Sequence, residues 1–180
     1  MSDSFNYLNI DAVLERLRSV SHHESSGFHM VLALTGDAQG PIKAEDGTTE
    51  LPVLGFEWGV TTTSWTAPDK ATARRVYRPL FITRRCDAAT ASIMSGLARN
   101  EGMKAELSVF ESNTDKQAVW KLTMKKARLI HHITHTGGAV GGAQEVLGLA
   151  GMEFELETAP QLSTGIRGGV RSFSDEIQAT

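Results

Sequence analysis

The stretch that decides the fold is GMEFELET, residues 151–158, in which hydrophobic and acidic side chains alternate from residue 152 onward. The alternating residues are Met152, Glu153, Phe154, Glu155, Leu156 and Glu157. Because successive side chains of a β-strand point to opposite faces, this pattern predicts a strand with one buried face and one acidic face.

Two further strands are predicted upstream of this one. Met103, Ala105, Leu107 and Val109 alternate with more polar residues, and the chain then turns within residues 113–117. Residues 120–133 follow as a long basic strand, whose cationic side chains are Lys121, Lys125, Lys126 and Arg128. A glycine-rich connection, residues 137–142, leads from the basic strand to the acidic one, so opposite charges are predicted to face each other.

Earlier segments also favour strands. The hydrophobic run 30–34 ends at Gly36, and Asp46 with Gly47 predicts a turn. In residues 51–60 the rings of Phe56 and Trp58 fall on one face of a strand and are expected to enter the core. Residues 61–75 have no hydrophobic period and are predicted to form a long exposed loop, after which residues 76–83 form another strand.

Two helices are predicted. Asp11 precedes a short apolar stripe that includes Leu17, which indicates a helical segment within the first 27 residues. Ile93, Met94 and Leu97 are spaced for one face of an internal helix. Either Asp87 or Thr90 can cap its start, and Gly102 is placed to provide a left-handed C-terminal cap.

The order of these elements predicts a mainly β protein. About seven strands with antiparallel signals and few helices favour a small antiparallel β-barrel with one flanking α-helix and an extra N-terminal helical segment. We divide the chain into an N-terminal appendage at 1–27, a barrel domain at 28–160 and a polar C-terminal tail at 161–180.

Composition narrows the function. The 180 residues carry 18 Lys and Arg against 21 Asp and Glu, a net charge of -3 that gives no general attraction for nucleic acid. The single cysteine, Cys86, excludes an intramolecular disulfide and suits a reducing cytoplasm. Neither a signal peptide nor a run of 18 apolar residues is present, so we expect no membrane insertion.

The histidines are the main argument for an enzyme. On a helix, His131 and His135 could share a zinc ion, but on the predicted strand they lie about 13 Å apart, at roughly 3.3 Å per residue. We therefore interpret them as an exposed strand end. Asp87 beside Cys86 disfavours a reactive thiolate, and no common catalytic motif is present. We expect no catalytic residue, metal site or cofactor.

Several segments together resemble the Hcp (haemolysin-coregulated protein) family. They are FEWGV at 56–60 after LPVLG, RPLFITRRCDAATASIM at 78–94, KAELSVFES at 104–112, AVWKLTMKKARLI at 118–130 and GMEFELE at 151–157. The resemblance covers residues 28–158, about three quarters of the chain. The N-terminal 27 residues are an addition, and residues 88–92 read AATAS where many relatives carry Ser-Pro.

The resemblance implies a structural subunit of the type VI secretion inner tube. Such subunits form hexameric rings that stack into a hollow tube, carry small effector proteins in the lumen, and work with sheath, spike and baseplate proteins. The protein would be made in the bacterial cytoplasm and secreted through the apparatus without a signal peptide. The loop that reaches the adjacent ring would contain Trp65, Pro68, Asp69 and Lys70. The charges facing a neighbouring subunit or the lumen would be Glu153, Glu155, Glu157, Lys121 and Lys125.

Two alternatives stay open. One is a secreted effector or metal-dependent enzyme that uses the same barrel, with the histidines as its site. The other is a tail-tube subunit of a phage-like particle, which shares the mechanics but belongs to a different apparatus.

Overall fold

The computed structural model describes residues 27–62, 75–136, 141–159 and 168–177, and also Asp11, Ala12, Glu15 and Leu17. These ranges contain helix α1, Ala89–Ala98, and twelve strands. The strands are β1 His29–Gly36, β2 Gly40–Pro41, β3 Leu51–Pro52, β4 Gly55–Glu57, β5 Val60–Thr62, β6 Arg75–Tyr77, β7 Leu80–Arg85, β8 Met103–Phe110, β9 Trp120–Thr136, β10 Ala143–Ala150, β11 Glu153–Thr158 and β12 Arg171–Glu176. The predicted mainly β class with one internal helix is confirmed, although about seven strands had been expected.

All strand pairings between the described strands are antiparallel. The hydrogen-bonded path runs β2-β1-β8-β9-β10-β7-β4, while β3 pairs with β1, β11 with β9, and β12 with β11. Strands β5 and β6 form a separate two-stranded ribbon. No pairing between described strands joins β4 to β2, so the expected barrel is not closed by backbone hydrogen bonds in this part of the chain.

The long strand β9 connects the two halves of the sheet, and its pairing is irregular at Lys126 and again opposite Gly148 and Leu149 of β10. Its first part pairs with β8 and β11, and its second part pairs with β10. Lys126 has a φ of 49°, and the register with β8 shifts there by one residue. Such a bulge changes which side chains face inward: Leu122 and Met124 are buried before it, and Ala127 and Leu129 after it.

The main hydrophobic core lies between the inner faces of these strands. β1 contributes Leu32 and Leu34, which are fully buried beside Leu107 of β8 and Leu122 of β9. Helix α1 closes one side of the core through Ile93. The turn predicted at Asp46 and Gly47 is confirmed, because Asp46 accepts a hydrogen bond from the Thr48 amide and Gly47 has a φ of 82°.

Helix α1 begins and ends with hydrogen bonds that the sequence predicts only in part. Asp87 Oδ1 accepts from the Ala89 amide at 2.8 Å, while the Asp87 amide donates to Thr90 Oγ1, so both predicted capping residues act together. At the other end Asn100 has a φ of 50°, and the Glu101 amide donates to the Gly96 carbonyl. The prediction of Gly102 as the left-handed cap was therefore wrong.

Glycine is needed at position 102 for a different structural reason. A Cβ atom at this position would lie 2.3 Å from Asp37 Oδ2, because the turn after β1 packs directly on the backbone here. The neighbouring Glu101 fixes the same turn, since its Oε1 atom accepts hydrogen bonds from the Ala38 and Gln39 amides, each 2.8 Å long. The turn after β1 is thus attached to the end of α1.

Three strands were missing from the prediction, of which the first, β2, is only two residues long. β10 directly follows the glycine-rich connection, and β12 lies within the predicted polar tail and pairs with β11 along all six residues. The division into 1–27, 28–160 and 161–180 stays a prediction. In the first segment Asp11, Ala12, Glu15 and Leu17 are helical, and Leu17 is buried against Phe81 and Val146.

Candidate assembly surface

One face of strands β8, β9 and β11 is charged. Because the registers place Glu153 beside Lys125 and Glu157 beside Lys121, the acidic strand lies directly against the basic one. We call this surface the charged face, and its members are Lys104, Glu106, Lys121, Lys125, Glu153, Glu155 and Glu157. The opposite face of the same strands buries Leu107, Leu122 and Phe154. All five charges that the sequence analysis singled out therefore lie on one surface.

Ion pairs within the subunit already use part of the charged face. Glu106 accepts from both Lys104 and Lys121, each at 2.9 Å. At the other end Lys126, the bulge residue of β9, contacts Glu153 at 2.5 Å and Glu176 at 3.3 Å. Glu153 and Glu176 are cross-strand partners with like charge, so Lys126 offsets a repulsion that would otherwise weaken the pairing of β11 with β12.

Glu155 and Glu157 differ from these residues. Both are half-buried on β11, and neither forms an ion pair with any residue of the described ranges. Two partly covered carboxylates on one strand are available to cations from another molecule. Whether the charged face meets a neighbouring subunit or a lumen stays a prediction.

The ribbon β5–β6 forms the base of the predicted long loop. Trp65, Pro68, Asp69 and Lys70, the candidate inter-ring residues, lie outside the described residues. Below the ribbon, Phe56 stacks on Trp120 with ring centroids 5.0 Å apart, and Trp58 packs near Phe154 at 5.9 Å. The prediction that Phe56 and Trp58 enter the core is confirmed, with both rings partly buried against it.

A buried ionic cluster lies between β7, β9 and β10. Arg84 and Glu145 are register partners, and their side chains form a salt bridge while only 1% and 0% exposed. Arg84 also contacts Asp87 at 2.5 Å, and His132 Nε2 lies 2.7 Å from the second oxygen of Glu145. The cluster joins three strands to the start of α1, and loss of one of its members would leave a buried charge without its partner.

The histidines do not form a metal centre within the described ranges. No group of three or more His, Cys, Asp or Glu side chains there could hold a metal ion. His131 packs against Phe81, and His132 is only 3% exposed, so the interpretation of this segment as an exposed strand end was wrong for His132. Burial, followed by the charge of Glu145, raises the pKa of the Cys86 thiol, which disfavours a nucleophilic thiolate.

Sequence reasoning missed several residues of this surface and its support. Arg84 and Glu145 form the buried ion pair, Asp175 pairs with Arg75, and none of these residues was proposed as a site residue. One signal was present for Glu145, because a single acid lies within the otherwise uncharged stretch 143–150. No comparable signal marks Asp175, because its segment RSFSDE, 171–176, is polar apart from Phe173 and Asp175 is one of several charged residues in it.

Two hydrogen-bonded carboxylates, those of Glu101 and Glu153, are expected to make the protein less stable in acid. The Gln39 and Ala38 amides lower the pKa of Glu101, and the hydrogen bond from Lys126 lowers that of Glu153, both from an ordinary value of 4.5. The stabilisation is therefore complete above that value and is lost as the pH falls through the lower folded pKa values. Urea denaturation at intervals from pH 7 to pH 3 should show that the free energy of unfolding decreases once the pH is below about 4.5.

The variant Glu101→Gln is the matched control for this pH dependence. It should be less stable than the parent at pH 7 and should lose less stability on acidification, since its side chain does not titrate. An acid profile that is identical in the parent and the variant would contradict the assignment of Glu101.

No helix of the described residues is long and apolar enough to cross a membrane. A family model described as type VI secretion system effector, Hcp, matches residues 31–156. That match runs from within β1 to within β11, and it includes the ribbon β5–β6 and every member of the charged face except Glu157. No curated protein matches the chain.

Solved structures share the fold. The chain is similar to Hcp1 from Salmonella typhimurium, with a TM-score of 0.63 and 14% identity over 84% of this chain and 95% of that one. It is also similar to Hcp3, a secreted protein from Pseudomonas aeruginosa, with a TM-score of 0.60 and 18% identity over 84% and 99%. A further structure, described as a type six secretion system protein, gives 0.64 and 21% identity over 80% and 91%.

Fold and family match together define the class, a structural β protein of a secretion apparatus. The chain belongs to the Hcp family, and its function is that of a tube protein of the type VI secretion system.

Proposed function

We propose that this chain forms hexameric rings that stack into the hollow inner tube, and that the lumen carries small effector proteins. The observation that supports the proposal is the family match across residues 31–156, which includes every member of the charged face except Glu157. Sheath, spike and baseplate proteins are the further partners. The protein would start in the bacterial cytoplasm and leave through the apparatus without a signal peptide.

The surface of the subunit supports ring assembly on physical grounds. Its sheet is not closed among the described strands, and β12 pairs only with β11, so one edge of that strand is available for a neighbour. A head-to-tail ring removes such edges by placing the same pair of surfaces in contact at every interface. Glu155 and Glu157 are placed to provide charge selectivity for such a contact or for cargo in the lumen.

We further propose that the subunit is not an enzyme. His132 is engaged by Glu145, and the pKa of the Cys86 thiol is raised, so the groups most suited to catalysis within the described ranges are held in structural roles. Metal analysis of the purified protein separates this proposal from the alternative of a metal-dependent enzyme, which requires a stoichiometric ion.

The solution mass of the purified chain tests ring formation. Light scattering after size exclusion should give about 117 kDa, six times the 19.5 kDa of one chain, and negative-stain images should show rings with a central hole. The measurement should be repeated at several protein concentrations and at high salt, because charged contacts weaken as salt rises. A mass of 19.5 kDa at every concentration and salt would contradict the proposal.

A further inference from the structure

The ribbon β5–β6 is attached to the rest of the subunit without sheet pairing. Its two strands pair with each other, Val60 with Tyr77 and Thr62 with Arg75, and with no other described strand. The orientation of the ribbon is therefore set by side-chain contacts, together with the two points where the chain enters and leaves the ribbon. A two-stranded ribbon alone is only marginally stable in water.

Asp175 of β12 makes the polar contacts that hold β6. Its Oδ2 atom lies 2.8 Å from Arg75 Nη1 and also accepts a hydrogen bond from the Tyr77 hydroxyl. The Asp175 side chain is 13% exposed, whereas that of Arg75 is 57% exposed. One carboxylate thus binds two alternate residues of β6 from a sheltered position.

Aromatic packing lies directly beneath this contact. The ring of Tyr77 stacks on Phe154 with centroids 4.3 Å apart and an interplanar angle of 11°. Phe154 is the register partner of Asp175, so the stacking contact and the polar contact occur at the same point of the sheet. Burial, and then the hydrogen bond to Asp175, raises the pKa of Tyr77 to about 12, which keeps its hydroxyl as a donor.

Strand β12 is itself firmly positioned. It pairs with β11 from Arg171 to Glu176, the Ile177 amide donates to the Met152 carbonyl at 2.8 Å, and Lys126 links Glu176 to Glu153. It also lies outside residues 31–156, the part of the chain that the family model matches. β12 is therefore a strand beyond the matched region that binds both the sheet edge and the ribbon.

We propose that β12 acts as a clamp, and that Asp175 is the positioning residue that fixes the ribbon for docking against a second copy of this chain in the adjacent ring. The docking half of this inference rests on the proposed function. The clamping half rests only on the contacts of Asp175, Arg75 and Tyr77.

The test compares Asp175→Ala with Ser174→Ala, a change at an exposed neighbour on the other face of β12. Hydrogen exchange of the β5 and β6 amides should accelerate about tenfold in Asp175→Ala and remain unchanged in Ser174→Ala, because a charged hydrogen-bond partner is lost only in the first. Ring mass should be unchanged, while electron microscopy should show fewer stacked rings. Asp175→Asn should restore part of the protection, since its amide oxygen still accepts from Tyr77.

The possible outcomes distinguish the clamping role of Asp175 from its role in docking. Parental exchange rates in the ribbon of Asp175→Ala would overturn the clamp, and faster exchange with parental stacking would overturn the docking role. If the parent forms no rings, the proposed function fails, and the exchange rates still decide the clamp. Should Asp175→Ala not fold, Tyr77→Phe replaces it, because that change keeps the ring on Phe154 and removes only the hydroxyl.

Discussion

Replacing Arg84 with methionine is expected to lower the free energy of unfolding by about 3–5 kcal/mol, the usual cost of leaving a buried charge without its partner. The Glu145 carboxylate is fully buried, and Arg84 is the cation paired with it at 1% exposure. Without Arg84, His132 is the one remaining hydrogen-bond or ion-pair partner of Glu145 among the described residues. Urea denaturation of the purified variant at pH 7, compared with the parent at equal protein concentration, measures the loss.

Two controls show whether the loss comes from the unpaired charge. Arg85→Met changes the next residue, which is exposed, and should alter stability by only about 0.5 kcal/mol. The double variant Arg84→Met with Glu145→Leu should recover most of the loss, because a buried ion pair can often be replaced by apolar residues without cost. If the double variant instead loses the sum of the two single effects, the interpretation of the cluster as a coupled pair is wrong.

The fold was predictable where one face of a strand is buried and the other is exposed. Alternation in residues 152–157 correctly placed Phe154 inward and the three glutamates outward. β10 shows no such alternation, because six consecutive residues, 144–149, are buried on both of its faces. β12 was missed for the opposite reason, since its side chains are almost all polar and exposed. The period of the hydrophobic pattern alone cannot identify either a fully buried strand or a fully exposed one.

Local irregularities were also beyond the sequence pattern. The left-handed residue at the end of α1 is Asn100 and not Gly102, because asparagine tolerates this conformation and the glycine is required by the approach of Asp37. The bulge at Lys126 reverses the inward phase of β9. Without the bulge, the two parts of this strand could not both face one core.

The candidate site, like the fold, was predictable from the sequence only in part. The charged face follows from strand parity, so the sequence was sufficient to place Lys121 and Lys125 on the surface that carries the glutamates of β11. The buried ionic cluster and the clamp depend on tertiary contacts instead: Arg84 and Glu145 are 61 residues apart, and Tyr77 and Asp175 are 98 apart. No spacing rule connects such residues, and only the register of the sheet brings them together.

Phe154→Ala is the second change with a large expected effect, a loss of about 3–5 kcal/mol in the free energy of unfolding. Phe154 is 3% exposed in the main core and also carries the ring of Tyr77. Truncation therefore removes buried aromatic area and opens a cavity beneath the ribbon. Urea denaturation measures the first effect, and hydrogen exchange at the β5 and β6 amides measures the second.

Leu156→Ala is the matched control, because it lies on the same face of β11 two residues away but is only partly buried. It should cost clearly less stability than Phe154→Ala. It should also leave exchange in the ribbon unchanged, since Leu156 has no ring that could stack on Tyr77. Phe154→Leu should restore much of the stability and little of the ribbon protection, because leucine fills volume without a flat surface for stacking. Equal ribbon exchange in Phe154→Ala and Leu156→Ala would show that Phe154 contributes to the core alone, and that the ribbon is held chiefly by Asp175.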